Sequence, residues 1–279
     1  MKLSILLEHI INKDIALPEC KRQCLNYDPD ITSIHYQSQT VKPGGLFVAI
    51  PGNKADGNDF IDDAIKRGAA TLVVEKRMNT KAIEIKVQNS RKALSVLSNR
   101  FYNNPSEKLC VIGVTGTNGK TTTTYIIENI LAKAGFKTGV LGTINYRHSG
   151  KIFKAPMTTP ESLDLQEILF EMFNEGITHV VMEVSSHAID LCRVDNCYFD
   201  IGVFTNLTQD HLDFHKDMDT YWSCKKRLFT EILATGPKSG KAIAVINCSN
   251  DKGNELYKSC ALKKISVGFS KDDYLSVSG

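Results

Sequence analysis

Several features that would assign this sequence to a class are missing. The eight cysteines, Cys20, Cys24, Cys110, Cys192, Cys197, Cys224, Cys248 and Cys260, do not form the paired CxxC spacing of a zinc site. Several of them interrupt apolar or basic runs, and they read as reduced thiols. No stretch approaches the roughly 20 consecutive apolar residues that span a bilayer. The opening MKLSILLEHIINKD is interrupted by Glu8 and His9 before a secretory core could form. An excess of one charge is missing too: the formal net charge is +3, with basic residues spread among acidic ones. That leaves no electrostatic footprint for nucleic acid or an anionic membrane, although a small anionic ligand is compatible with it. Repeats and low-complexity tracts are also missing. The expectation is a cytoplasmic, monomeric protein with neither a nucleic-acid nor a membrane partner.

What is present is a globular α/β pattern. A hydrophobic fraction of 42% against 23% charged residues argues against long disorder, and 279 residues suffice for two domains. In the first hundred residues GGLFVAI, AATLVVE and AIEIKV read as buried strands, being runs of β-branched and aromatic residues between turn signals. DFIDDAIKRG reads as a short amphipathic helix that Asp59 can cap and Gly68 can close. A second helix is expected from about Asn89 to Tyr102, broken by NNPS at Asn103 to Ser106. The domain boundary is placed there, giving residues 1–105 and 106–279.

From Leu109 strands and helices alternate regularly, which predicts a mostly parallel sheet flanked by helices on both faces. The strands are LCVIGV, TGVLGTI, THVVMEV, FDIGVFTNL and KAIAVIN; the helices are Thr121 to Ala134, Ser162 to Glu175 and about Asp219 to Leu233. The last stretch, from Ile265, reads as one more strand and a polar tail, and looks cut short.

The chemistry concentrates at strand ends. After LCVIGV comes Gly116, Thr117, Asn118, Gly119, Lys120, Thr121 and Thr122, opening directly into a helix. Strand, glycine loop and helix N-terminus together make a phosphate site, because glycines let backbone amides approach an anion and the helix terminus adds partial positive charge. Lys120 is placed to reach the β and γ phosphates of ATP, and the Thr121 hydroxyl to ligate Mg2+. The strict GxxxxGKT spacing would want glycine where Val114 stands, so the loop is a variant. Glu183, in MEVSSH, offers a hard oxygen for the same metal, and TQDHLDFH brings Asp210 and His211 to the same edge. His211 and His215 raise a zinc alternative, disfavoured because no cysteine or third histidine has suitable spacing; His215 reads as a solvated loop residue. By residue type alone, the basic run in YWSCKKRLF is a solvated helix face.

Taken together, GVTGTNGKTT, TTPE, EVSSH, RVDNCYFDIGVFTNLTQDHLDFH and YxxxK resemble the Mur ligases, ATP-dependent amide-forming enzymes of peptidoglycan synthesis. The resemblance covers nearly the whole chain. VKPGGLFVAIPGNKADGNDFIDDAIKRGA is similar to the type that adds the third residue to UDP-N-acetylmuramoyl-L-alanyl-D-glutamate, with meso-diaminopimelate the commoner amino acid and L-lysine the alternative. It implies a UDP-sugar-peptide-binding first domain, an incomplete ATP-binding central domain, and a missing C-terminal domain for the amino acid. It makes Gly116 to Thr122 the ATP loop, Lys120, Lys225 and His211 catalytic, and Thr121, Glu183, His211 and Lys225 metal ligands, with Lys225 carbamylated. For the nucleotide-sugar peptide it points to Ser38, Asn53, Lys54, Ala55, Thr158, Thr159, Ser185 and Arg193. The sequence departs from the family at Gln37 and Gln39 around Ser38, at Met157 and at Leu191. An alternative expectation is a module that binds ATP and the UDP-sugar peptide without turnover.

Overall fold

The computed structural model describes residues 1–11, 13, 15, 16, 27–52, 55–78, 80–211 and 213–276. Two compact units divide the chain, Met1–Asn104 and Pro105–Gly279. The first begins with α1 (Leu3–Ile11), whose buried Leu3, Leu6, Leu7 and Ile10 recur at three and four residues and form one apolar face. The apolar run at the start of the chain is therefore an amphipathic helix. Four parallel strands follow in sequential order: β1 (Ile34–His35), β2 (Gly45–Val48), β3 (Ala69–Val74) and β4 (Ile83–Lys86). Parallel neighbours need a crossover, and α2 (Ile61–Lys66) supplies the one between β2 and β3.

Capping before α2 differs from the sequence expectation. Asp59 lies inside a 3-10 turn, Gly57–Phe60, and the cap is Asp56, whose carboxylate accepts from the Asn58 amide at 3.0 Å. Gly68 does close this segment in the left-handed conformation, at φ +101°. The next helix, α3 (Ser90–Phe101), has Asn89 as its cap, with the side chain accepting from the Lys92 amide. It ends because Asn103 and Asn104 adopt positive φ. Pro105 then starts a helix, α4 (Pro105–Lys108), at the position where a missing N–H costs nothing.

The second unit is built on a nine-stranded sheet. Its members are β5 (Cys110–Thr115), β6 (Thr138–Leu141), β7 (Asn145–His148), β8 (Lys151–Lys154), β9 (His179–Glu183), β10 (Ile201–Phe204), β11 (Ile243–Asn247), β12 (Lys263–Gly268) and β13 (Leu275–Ser276). The spatial order is β13-β12-β11-β10-β5-β9-β6-β7-β8, parallel throughout except for the antiparallel pairs β6–β7 and β7–β8. The β7–β8 hairpin, which the sequence pattern did not reveal, turns through Ser149 and Gly150, at φ +51° and +75°.

The helices are α5 (Lys120–Lys133), α6 (Ser162–Asn174), α7 (Ser186–Asp190), α8 (Met218–Arg227) and α9 (Asp251–Ser259). Beyond α8 the backbone widens into a π turn, Leu228–Ile232. Gly135 and Gly176, at φ +87° and +79°, close α5 and α6. Helices flank both sheet faces, but unequally. Leu165 and Leu169 of α6, Ile189 of α7, Trp222 of α8 and Leu256 of α9 share one core with Val111, Val180, Phe204 and Ile246 of the sheet. On the opposite face, Ile112, Val114 and Val181 pack with Ile127 and Leu131 of α5. None of the described helices is long and apolar enough to cross a membrane. The six described cysteines are unpaired, and Cys20 and Cys24 lie outside the described residues.

Candidate functional site

The carboxyl ends of β10, β5, β9 and β6 lie side by side, so the loops that follow them meet at one edge. That edge of an open α/β sheet is where ligands gather. A cleft of about 580 Å³ opens there, lined among others by Lys120, Thr121, Thr143, Glu183, His211 and Lys225. Thr117, Asn118, Gly119, Thr122, Thr158, Thr159, Ser185 and Arg193 line the same cleft.

The loop after β5 is fixed from one side. Gly116 takes φ +151°, and a Cβ there would lie 1.9 Å from Thr205 Oγ1, so only glycine fits against the strand end of β10. The Thr117 amide donates to Asn206 O at 2.9 Å, and the Asn118 amide donates to Asn206 Oδ1 at 3.0 Å. These two amides are thus committed within the protein. Gly119, at φ +85°, starts α5, and the first intrahelical bond runs from the Thr123 amide to Gly119 O. The amides of Lys120, Thr121 and Thr122 stand in the first turn, where helix amides have no carbonyl one turn back, and such amides can face an anion.

On the cleft lining, Lys120 folds back onto its own loop. Its Nζ donates to Gly116 O at 2.9 Å and to Thr117 O at 2.8 Å. Burial lowers its pKa, opposed by the charges of Glu183 and Asp210. Lys225 reaches the same carbonyl from the other side, donating to Gly116 O at 2.9 Å. It is 1% exposed, which overturns the solvated-face reading of its helix at this position. Tyr221 and Lys225 are four apart on α8, so they share a face; the Lys225 Nζ lies 4.6 Å from the Tyr221 ring centroid, and Tyr221 OH is 3.2 Å from Thr117 Oγ1. Burial, and then the neighbouring Lys120 charge, hold the Lys225 pKa down at about 7.

Glu183 is 1% exposed at the end of β9. Thr121 Oγ1 donates to its Oε1 at 2.9 Å, which brings together two residues separated widely in sequence. The Thr143 amide also donates to Oε1, at 2.9 Å, and Thr143 Oγ1 donates to Oε2 at 3.1 Å. Sequence reasoning missed Thr143, whose only signal is its position just past a strand end. The neighbouring Thr159 Oγ1 donates to Glu183 O at 2.9 Å, and the Ser185 amide donates to Thr159 Oγ1 at 3.1 Å. Ser185 caps α7, and Arg193 pairs with Glu161 at 3.3 Å beside Met157.

Of the histidines, His211 lies at the expected edge and His215 does not match its expectation. His211 adopts φ +54° on the cleft lining, 3.5 Å from the Asp210 carboxylate. His215 is buried, 2% exposed, with its ring 5.1 Å from that of Tyr221; burial lowers its pKa, so it is no solvated loop residue. A third histidine does approach: the His187 ring lies 5.0 Å from that of His211 and 5.9 Å from that of His215. Still, among the described residues no three His, Cys, Asp or Glu side chains are placed to hold one metal ion. In the first unit, Ser38 is buried, 2% exposed, and opens a 3-10 turn, Ser38–Thr40. Ala55 is exposed, and Asn53 and Lys54 lie outside the described residues.

A strand, a glycine-bounded turn and a helix N-terminus holding Lys120, Thr121 and Glu183 at one sheet edge define a phosphate-loop α/β protein. The Mur ligase middle domain profile matches residues 114–277, and the Mur ligase family, catalytic domain profile matches residues 30–102. The chain belongs to the Mur ligase family. It is 46% identical over 243 residues to the UDP-N-acetylmuramoyl-L-alanyl-D-glutamate--2,6-diaminopimelate ligase of Geobacter metallireducens, covering 86% of this chain and 48% of that protein. It is 41% identical over 272 residues to the ligase of the same name from Bacillus velezensis, covering 98% and 54%. A solved structure of a ligase of that name superposes with a TM-score of 0.73 at 24% identity, over 87% of this chain and 49% of that one. The MurF ligase from Thermotoga maritima in complex with ADP superposes with a TM-score of 0.57 at 24% identity, over 85% and 50%. These two likenesses speak to the fold. The chain spans about half the length of the curated relatives it matches.

Proposed function

We propose that this chain forms the ATP- and substrate-binding half of a cytoplasmic, monomeric ligase that adds meso-diaminopimelate to UDP-N-acetylmuramoyl-L-alanyl-D-glutamate. The observation that carries the reading is the Thr121–Glu183 contact of 2.9 Å at the mouth of the glycine loop, in one cleft with His211 and Lys225. A free carboxylate is a poor acyl donor, because an oxide must leave and the anion repels a nucleophile. Its attack on the γ-phosphate of ATP gives an acyl phosphate and ADP; the amine of the incoming amino acid then displaces phosphate and forms the amide.

The first-turn amides of α5 bind the phosphates, and Lys120 exchanges its two carbonyl partners for phosphate oxygens. In the second unit Thr158, Thr159, Ser185 and Arg193 are the candidates for orienting the nucleotide-sugar peptide, and in the first unit Ser38, Asn53, Lys54 and Ala55 are candidates of their own. The Thr121 and Glu183 oxygens fit a hard divalent cation, and with His211 they would hold Mg2+, which when bound neutralises the charge that develops on the transferring phosphoryl group. Lys225 adds a second anionic ligand by modification. With its pKa at about 7, its amine is substantially unprotonated at neutral pH and can attack carbon dioxide, losing one proton to give a carbamate.

Calorimetric titration with a non-hydrolysable ATP analogue and Mg2+ tests the nucleotide site. Binding is expected for the wild-type chain and a loss of about 100-fold for Lys120→Ala, on the scale of charge-assisted phosphate contacts. Equal affinity in the two would overturn the assignment. Phosphate release that requires both the UDP-sugar peptide and diaminopimelate tests the ligase step.

A further inference from the structure

We infer that Thr143 is a positioning residue that orients the Glu183 carboxylate and ties it to the Met157–Thr159 loop, so that the phosphate side and the substrate side of the cleft respond to each other. The inference rests on the ligase reading above and deepens it. Glu183 receives two of its three side-chain contacts from this residue: the Thr143 amide on Oε1 at 2.9 Å and the hydroxyl on Oε2 at 3.1 Å. Thr121 supplies the third. The neighbouring backbone presses close as well, since a Cβ on Gly142 would come within 2.4 Å of Glu183 Oε1. Both oxygens of the carboxylate are therefore held from the β6 side by one residue, with Thr121 adding a contact to Oε1 alone.

The direction of the hydrogen bonds follows from valence. A hydroxyl has one proton, and an ionised carboxylate can only accept. Thr143 therefore spends its proton on Glu183. Its contact with Thr158 Oγ1, at 3.0 Å, must then run the other way, with Thr158 donating. The chain Thr158 to Thr143 to Glu183 is thus polarised toward the carboxylate, and Thr121 enters it from the glycine loop. Thr158 is left with lone pairs only. On the cleft side it accepts a hydrogen bond, so it meets an N–H or O–H group of the substrate and not a phosphate or carboxylate oxygen. The adjacent Thr159 ties the same loop to Glu183 through its backbone carbonyl, at 2.9 Å.

The test compares Thr143→Val, which keeps the shape and the amide but loses the hydroxyl, with Thr143→Ser, which keeps both polar groups. Mn2+ binding is read by electron paramagnetic resonance in the presence of a non-hydrolysable ATP analogue. UDP-N-acetylmuramoyl-L-alanyl-D-glutamate affinity is read by calorimetry, with and without the Mn2+-nucleotide. For wild type and Thr143→Ser the substrate is expected to bind more tightly when the Mn2+-nucleotide is present. In Thr143→Val that coupling is lost and Mn2+ affinity falls about tenfold, as expected for one hydrogen bond to a charged group, while nucleotide binding in EDTA holds. A Thr143→Val chain that matches wild type in Mn2+ affinity and coupling overturns the inference alone. A Thr143→Ser chain as impaired as Thr143→Val also overturns it, by showing that the residue only shapes the turn. A wild-type chain that binds no nucleotide removes the ligase reading, and this inference with it.

Discussion

The two units hold their candidate residues in opposite ways. In Pro105–Gly279, four adjacent strands end at one edge, and the residues after them are locked by hydrogen bonds across distances of up to 109 positions, as between Lys225 and Gly116. In Met1–Asn104 the sheet is also parallel, yet Ser38 is buried and Ala55 stands exposed on a loop. Parallel strands alone do not make a site; neighbouring strand ends whose loops bond to one another do.

The largest expected effect that would break this contrast lies at Gly116. Gly116→Ala places a Cβ 1.9 Å from Thr205 Oγ1 at φ +151°. It should cost about 3 kcal/mol or more in urea unfolding and abolish nucleotide binding by calorimetry. Gly240→Ala, where a Cβ meets nothing within 4 Å, serves as the control and should change neither. If Gly116→Ala bound nucleotide normally, the bracing from Thr205 would be incidental.

Lys225 gives an intermediate, pH-dependent effect. Its pKa falls from 10.5 to about 7 on folding, through burial first and Lys120 second. Between those values the unfolded chain holds a proton that the folded chain has lost, so stability rises with pH from about 7 toward 10.5 and is level below 7. The slope is at most roughly 1.4 kcal/mol per pH unit. In metal-free, carbon-dioxide-free buffer, Lys225→Met should remove this slope and gain most over wild type at pH 7 and below. Parallel urea-stability curves for the two proteins from pH 6.5 to 9.5 would contradict the buried, proton-poor lysine.

The smallest effect belongs to the first unit. Asp56→Ala removes the cap that accepts from the Asn58 amide and should cost about 1 kcal/mol in denaturation, with nucleotide affinity unchanged. Asp59→Ala should cost less than half of that. A reversed order would restore Asp59 as the cap.

Much of the second unit could be read from the sequence because its strands are continuous β-branched runs and its helices end in Gly135 and Gly176. The glycine loop and Glu183 were visible for the same reason, standing at the ends of such strands, whereas Thr158 and Thr159 came only from the family resemblance, because the strand before them carries no apolar pattern. What stayed hidden had no periodic apolar signal. The β7–β8 hairpin carries KIFK, all four residues exposed, and its only clue was Ser149-Gly150 at the turn. Helix α9 is mostly polar, with Leu256 as its one large buried side chain. The burial of His215 and the approach of His187 depend on how α7 and the Asp210 loop meet, which spacing along the chain does not encode. Lys120 reads as a phosphate ligand in sequence; its contacts with the carbonyls of Gly116 and Thr117 are local ones that the motif does not encode.

The unequal covering of the nine-stranded sheet has a calorimetric consequence. Among the described residues, α5 is the helix packed on one face; Ile201, Val203, Ile243 and Val245 remain only partly buried there, and Ile126 and Ile130 of α5 itself are 55% and 61% exposed. The heat-capacity change of unfolding scales with the apolar surface newly exposed to water, and side chains already wet in the folded state add little to it. The second unit should therefore unfold with a heat-capacity increment below the usual 12–15 cal/mol/K per residue, roughly, and with a correspondingly flatter dependence of stability on temperature.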